Sequence, residues 1–247
     1  MTRAVAKTLA AVLVAVAAAV LALHGAKVIV VDNEMLVACV VTTTALAALS
    51  TIGAAWSEWR QQRLGSRLDL VEFQLDATLW AIVDQVGPGL DYRDLGIAIY
   101  RTSRRWWWPW KQRLRRLHRV RASHRPVSSA ITFTPGKGVI GRCIETRAVA
   151  AYDLAQMYKD LGQPTEDEWD ALPADVSLNL SYSEYLDTRD KYAVVIASPI
   201  IDDSTPQARV RGCIVLDGPD GRFGDLNTDE VLALLNSATQ GLLRQGV

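Results

Sequence analysis

Thr8 to Ala26 (TLAAVLVAVAAAVLALHGA) carries no Asp, Glu, Lys or Arg over nineteen residues, and Leu36 to Trp56 (LVACVVTTTALAALSTIGAAW) carries none over twenty-one. A bilayer core of about 30 Å is crossed by roughly 20 helical residues rising about 1.5 Å each, so both runs are long enough to span. Only KVIVVDNEM separates them. The expectation is a two-helix transmembrane hairpin over residues 1–56, with spans at about 8–26 and 35–56. The rival is a cleaved secretory signal, since Arg3 and Lys7 precede the first run. A cut after Ala26 would put His24 where a small residue is wanted, and the second run would stay unexplained.

The flanks orient the hairpin. Arg3 and Lys7 lie before it, Arg60, Arg63 and Arg67 after it, and the turn has one Lys against Asp32 and Glu34. The positive-inside bias puts both termini in the cytoplasm of a multi-pass membrane protein. Trp56 and Trp59 fall at interfacial depth. Small residues recur four apart at Ala11, Ala15 and Ala19 and at Thr43, Ala47, Thr51 and Ala55, which suits hairpin closure or a homo-oligomer. Neither run holds a charge, so a transporter's ion or proton path has no residues to use.

Residues 57–90 read as a connecting helix. Leu68, Val71, Leu75, Leu79, Ile82 and Val83 recur at helical steps, and Gly-Pro-Gly at 87–89 stops the run. A coiled-coil seam between two copies is the alternative, in a run short for heptads. Residues 91–247 then alternate strands and helices. LGIAIYRT (95–102) and RLRRLHRVRA (113–122) are strands joined by RTSRRWWWPWKQ. A short helix is expected over Val139–Glu145 and a strand over Ala148–Tyr152. An acidic, partly helical stretch covers 155–190. YAVVIASPII (192–201) and VRGCIVLDG (210–218) form a hairpin. A last helix is capped by Asn227 or Thr228, with Val231, Leu234, Leu235, Ala238 and Leu242 on one face. The fold class is α+β, an antiparallel sheet with helices on one side.

Composition narrows the chemistry. Formal charge is zero, which leaves no excess of base for a nucleic acid. The charge is uneven along the chain: residues 95–144 hold twelve Lys or Arg and no acid, and residues 145–203 hold thirteen acids and four bases. One face is expected to suit anions, unless the two halves pair with each other. Cys39, Cys143 and Cys213 lack metal or disulfide spacing, and His24, His118 and His124 are scattered. TPGKGVIG is not a phosphate loop, because Gly138 follows Lys137 where Ser or Thr is required. DGPDGRFGD lacks the closing Glu of a calcium loop; position twelve is Thr228. No nucleophile or metalloprotease motif stands in the chain, so it is read as a non-enzyme without a cofactor.

FTPGKGVIGRCIETR resembles the loop and short helix of GAF domains. YAVVIASPII, followed by VRGCIVLDGPDGRFGDLNTDEVLALLNSATQGLL, resembles their closing hairpin, Asp-containing turn and final helix. The resemblance covers about 68–247. It implies a small-molecule sensing or dimerising module whose pocket lies between the sheet and residues 142–190. The cyclic-nucleotide signature and a bilin-attaching cysteine are not seen. Candidate ligand-binding residues are Lys137 and Arg142, beside a helix start that can face an anionic or nucleotide ligand, and Tyr152, Asp153, Tyr158, Tyr182 and Tyr192, for stacking or hydrogen bonding.

RRWWWPWK (104–111) places Trp106, Trp107, Trp108 and Trp110 among bases. Indole favours the headgroup region, and each nearby base adds about 1 kcal/mol toward anionic lipid. A protruding hairpin tip docked on the bilayer is expected; packing against the domain or a second subunit is the rival. The whole chain reads as a membrane-anchored sensor coupling a cytoplasmic site to the hairpin. A ligand-gated membrane-perturbing effector and a scaffold that recruits a protein partner are the alternatives.

Overall fold

A computed structural model of the chain describes residues 68–105, 108–123, 131–204 and 207–245, with Ala22, Val37, Val41, Thr44 and Ala45 as single helical positions. The two expected spans, apart from those five positions, lie outside the described residues, as do Trp56, Trp59, Trp106 and Trp107. Among the described residues no helix is long and apolar enough to cross a membrane. The chain divides into two compact units, Met1–Ser66 and Arg67–Val247, and the fold below is that of the second.

Helix α1 covers residues 68–86. A single 3-10 turn, Tyr92–Asp94, leads into β1 (Gly96–Arg105) and β2 (Trp108–Arg121). Then follow α2 (Gly138–Thr146), β3 (Ala150–Asp153), α3 (Leu154–Leu161), α4 (Glu166–Asp170), α5 (Ala174–Ser177) and α6 (Tyr182–Arg189). The chain closes with β4 (Val194–Asp202), β5 (Arg209–Gly218), α7 (Phe223–Leu226) and α8 (Asp229–Arg244). The five strands form one antiparallel sheet in the order β2-β1-β5-β4-β3.

Alternate residues of each strand point to opposite faces, and both faces are covered. Ile97, Ile99, Val194, Ile196, Ile214 and Leu216 meet Val71, Leu75, Leu79 and Ile82 of α1 and Val231, Leu235, Ala238 and Leu242 of α8. Val195, Ala197, Cys213 and Val215 face the other way, under Val139, Ile140 and Ile144 of α2, Leu154 and Tyr158 of α3, Trp169 and Tyr185. The expectation of helices on one side is therefore corrected to helices on both. The strands β4 and β5 carried the reason: VVIAS and CIVL are near-continuous apolar runs, as strands buried on both faces are.

Helix α1 is more than a connector, since its Val71–Leu75–Leu79–Ile82 stripe is part of the core. Gln74 Nε2 donates to the Ala238 carbonyl of α8 at 3.0 Å, and Gly241 leaves that amide room where a Cβ would collide with it. Leu68, expected on the inner stripe, is instead exposed, as are Leu70, Phe73 and Trp80. Helix α8 begins where expected: Thr228 accepts from the Val231 amide.

The β1–β2 hairpin reaches further than expected. β1 continues to Arg105 and β2 starts at Trp108, so Trp108 and Trp110 lie on a strand and not in a loop. The register jumps from Arg104↔Gln112 to Arg105↔Trp108, which leaves 109–111 as a bulge. β2 is an edge strand, and an edge bulge is where a Pro such as Pro109 fits. β3 starts at Ala150, two residues late, because Arg147 ends α2 in a left-handed conformation (φ 57°) and the chain needs Ala148 and Val149 to leave it.

Candidate functional site

A second irregularity in β2 decides what lies beneath α2. Ile99 pairs with His118 but Tyr100 pairs with Arg116, so Leu117 is bulged out. Without that bulge Leu117 would face the same side as Arg119 and Arg121; with it, Arg116 does. Arg116 and Arg119 thereby line a cavity between the sheet and the α2–α6 cover. Ala98 and Tyr100 of β1, Val195 of β4 and Val215 and Asp217 of β5 make its floor. Gly138, Val139 and Ile140 at the start of α2, with Tyr158, Leu180 and Tyr192, make its roof and wall. Its volume is about 60 Å³, room for a few water-sized groups at about 10–15 Å³ each.

The polar groups here are few and strained by burial. Asp217 is buried, and its side chain lies over Gly96, where any Cβ would strike the carboxylate. Arg121 Nη2 holds it at 2.8 Å and donates also to the Asp94 carbonyl at 3.1 Å. Burial pushes the Asp217 carboxyl above its usual range, against the opposing pull of Arg121 and Arg119. Burial also pushes the Tyr100 phenol up to about 12, with Arg116 pulling it down. Tyr158 is 5% exposed, and its hydroxyl has no hydrogen-bond partner of good geometry among the described residues. The neighbouring Thr188 hydroxyl donates to the carbonyls of Glu184 and Tyr185. Burial pushes the Tyr158 phenol up, against a weaker pull from Thr188.

Helix α2 begins at this cavity without a side-chain cap. Lys137 occupies the cap position, and a lysine has no acceptor to offer. Its Nζ instead holds Glu184 Oε1 at 2.7 Å. Burial pushes Glu184 up, but hydrogen bonds from Lys137 and Ser181 outweigh it and hold the carboxyl below its usual range. Gly138 N donates to the Leu178 carbonyl at 2.7 Å. The positive end of α2 thus adjoins the two guanidinium groups, a setting that favours an anion.

Of the residues expected to bind ligand, Tyr158 and Tyr192 line the cavity. Tyr152 packs half-buried on the same side of the sheet, and Tyr182 lies tilted against Tyr185 with centroids 6.0 Å apart. Asp153 caps α3, accepting from the Gln156 amide at 3.0 Å. Arg142 is half-buried on α2 and Lys137 is paired with Glu184; neither lines the cavity. Sequence reasoning passed over Arg116, Arg119, Asp217 and Tyr100. Asp217 was visible as a lone charge ending an apolar strand, and Arg119 and Arg121 as like charges two apart. Arg116 depends on the bulge at Leu117, which no local residue pattern announces. Cys143 and Cys213 are buried free thiols on this side, and burial, then contact with Cys143, raises Cys213 well above its usual range. Among the described residues no His, Cys, Asp and Glu cluster has metal-binding geometry.

An antiparallel five-stranded sheet with packed helices fits the GAF-like fold that the sequence resemblance implied. The chain is similar to solved GAF structures. One is a GAF domain/HD domain protein from Geobacter sulfurreducens, at 14% identity and a TM-score of 0.37, covering 71% of this chain and 97% of that one. Another is the GAF domain of a two-component sensor histidine kinase from Bacillus halodurans, at 12% identity and a TM-score of 0.37, covering 69% and 92%. A third, described as the structure of the GAF domain, has 14% identity and a TM-score of 0.36, covering 69% and 88%. No protein-family model matches the sequence, and no curated protein matches it.

Proposed function

We propose that Arg67–Val247 is a GAF-type sensory domain that binds a small molecule in the cavity beneath α2, α3 and α6, and that the N-terminal hairpin anchors it to a membrane. One observation carries the binding part: a buried Tyr158 hydroxyl, without a hydrogen-bond partner of good geometry among the described residues, and two arginines line one largely apolar cavity. A partnerless buried hydroxyl costs about 1–3 kcal/mol, a penalty that a bound acceptor removes. The membrane part is supported by the two apolar runs at 8–26 and 35–56 and by their basic flanks.

Coupling follows from the sheet being shared. Ala98 and Val195 touch the cavity, and their strand neighbours Ile97, Ile99, Val194 and Ile196 touch the core that α1 joins. A close-packed strand that moves to fit a ligand on one side must repack on the other. Helix α1 leads back along the chain toward the apolar runs. Thermal melts of the full-length chain against a metabolite panel test the reading. A ligand at a hundred times its dissociation constant adds about 2.7 kcal/mol and raises the midpoint by a few degrees. A Val215→Phe chain, its cavity filled, is expected to show no shift; a shift surviving that change removes the site from this cavity.

Lipid docking by the β1–β2 hairpin belongs to the same proposal, with Trp108 and Trp110 at its outer end. Replacing Trp106, Trp107, Trp108 and Trp110 with Ser is expected to leave the chain anchored but to lower the protection of this hairpin from protease in anionic vesicles. Equal protection in both forms contradicts docking.

A further inference from the structure

We infer that the ligand is a short-chain monocarboxylate of about four to six non-hydrogen atoms, the acetate-to-butyrate range. The inference rests on the ligand-binding reading above and adds its chemical class. Three independent features of the cavity converge on it.

The first is size. A volume of about 60 Å³ holds about four to six water-sized groups. Drug-sized ligands, a nucleotide among them, take roughly 300–1,000 Å³. The second is charge. The lining holds two guanidinium groups, Arg116 and Arg119, and one carboxylate, Asp217, so its formal charge is positive even with Asp217 ionised; Arg121 adds a further cation to that carboxylate at 2.8 Å. The uncapped start of α2 at Gly138–Ile140 adds positive potential on the same side. An anion is favoured, and among the described residues no donor set for a metal cation lies here. The third is polarity. Away from these groups the wall is hydrocarbon and ring: Ile131, Phe133, Leu154, Leu180, Val195 and Val215. Inorganic phosphate or sulfate would leave that wall unused, whereas an alkyl tail fills it.

In the arrangement proposed, the carboxylate accepts from the Tyr158 hydroxyl, from the guanidinium groups of Arg116 and Arg119 and from the Val139 and Ile140 amides of α2, Gly138 N being held by the Leu178 carbonyl. The tail lies on the β5 side against Val215. The Tyr158 hydroxyl thereby gains an acceptor of good geometry, which it lacks among the described residues.

Calorimetric titration of the full-length chain with acetate, propionate, butyrate, hexanoate, octanoate, butyramide, inorganic phosphate and AMP tests the class. Affinity is expected to peak at propionate or butyrate and to fall by about tenfold or more for butyramide, which keeps the tail and loses the charge. Arg116→Gln and Arg119→Gln are each expected to weaken butyrate by about tenfold while leaving butyramide unchanged. Tyr158→Phe is expected to weaken it by about fivefold. Butyramide binding as well as butyrate, or phosphate or AMP binding in preference, overturns the carboxylate. If that other binding is lost in Val215→Phe, or in Ala98→Leu should the first variant not fold, the cavity reading stands without it. A folded chain that binds none of the panel overturns both.

Discussion

On one face of the sheet, Ile97, Ile99, Ile196, Ile214 and Leu216 pack with the apolar stripes of α1 and α8. On the other, their immediate neighbours Ala98, Tyr100, Val195, Val215 and Asp217 line a cavity together with two arginines and two tyrosines. The same strands thus build a packed layer and a binding layer, one residue out of phase. The packed face needs shape alone and tolerates loss poorly. The cavity face keeps a buried ion pair, Arg121–Asp217, and a phenol without a hydrogen-bond partner of good geometry among the described residues, neither of which a stability-driven core would retain. The lesson is that stability and binding are separated here by side-chain alternation and not by domain.

Substitutions can break or sharpen this contrast. The largest effects belong on the packed face: Leu79→Ala or Leu235→Ala is expected to cost about 2–5 kcal/mol in a urea melt, as both are fully buried. A smaller, opposed pair follows. Adding methyl groups at Ala238, between α8 and the sheet, is expected to cost about 1–3 kcal/mol in Ala238→Val. Ala98→Val extends into the cavity and is expected to stay within about 1 kcal/mol of the parent. Equal costs for the two would erase the distinction between the faces.

The hydroxyl and indole of the cover give the next contrast. Trp169 Nε1 donates to the buried Leu180 carbonyl at 2.9 Å, so Trp169→Phe is expected to cost about 1–3 kcal/mol. Tyr158→Phe removes a hydroxyl without a partner of good geometry among the described residues and is expected to be neutral or stabilising by up to about 1 kcal/mol. Destabilisation by Tyr158→Phe of the same size as Trp169→Phe would mean that the phenol is structurally committed.

The least effect is expected in acid. Burial raises the Asp217 carboxyl above its ordinary value of 3.8, so the folded state holds that proton more tightly than the unfolded chain. Its contribution to stability is full below about pH 3.8 and is lost as pH rises through the folded value. Glu184 works in the opposite sense: held below 4.5, it contributes above that value and loses its share as pH falls. Urea midpoints from pH 3 to 7 are expected to decline less on the rising-pH side in Asp217→Asn than in the parent. An identical profile would remove Asp217 as a raised carboxyl.

Much of the fold was legible. The helical stripe of Val71, Leu75, Leu79 and Ile82, the cap at Thr228 and all five strands follow local periodicity and turn chemistry, which neighbouring residues set. The second helical layer was missed because periodicity says that VVIAS and CIVL are apolar, and only their lack of alternation says that they are covered twice. The site was legible in part. Tyr158 and Tyr192 were named from their segment, whereas Asp153 and Lys137 serve a helix cap and an ion pair, uses that their residue types fit equally well. Arg116 enters through a bulge whose cause is pairing across strands, which no single segment encodes.

Native-state amide hydrogen exchange of the full-length chain without ligand tests the contrast between the faces most directly. The account predicts that residues 71–82 and α8 exchange only through global unfolding. The cavity cover, α3 and α6, is predicted to exchange through openings of lower free energy, the route a ligand needs. A cover as protected as α8, or more so, would contradict it.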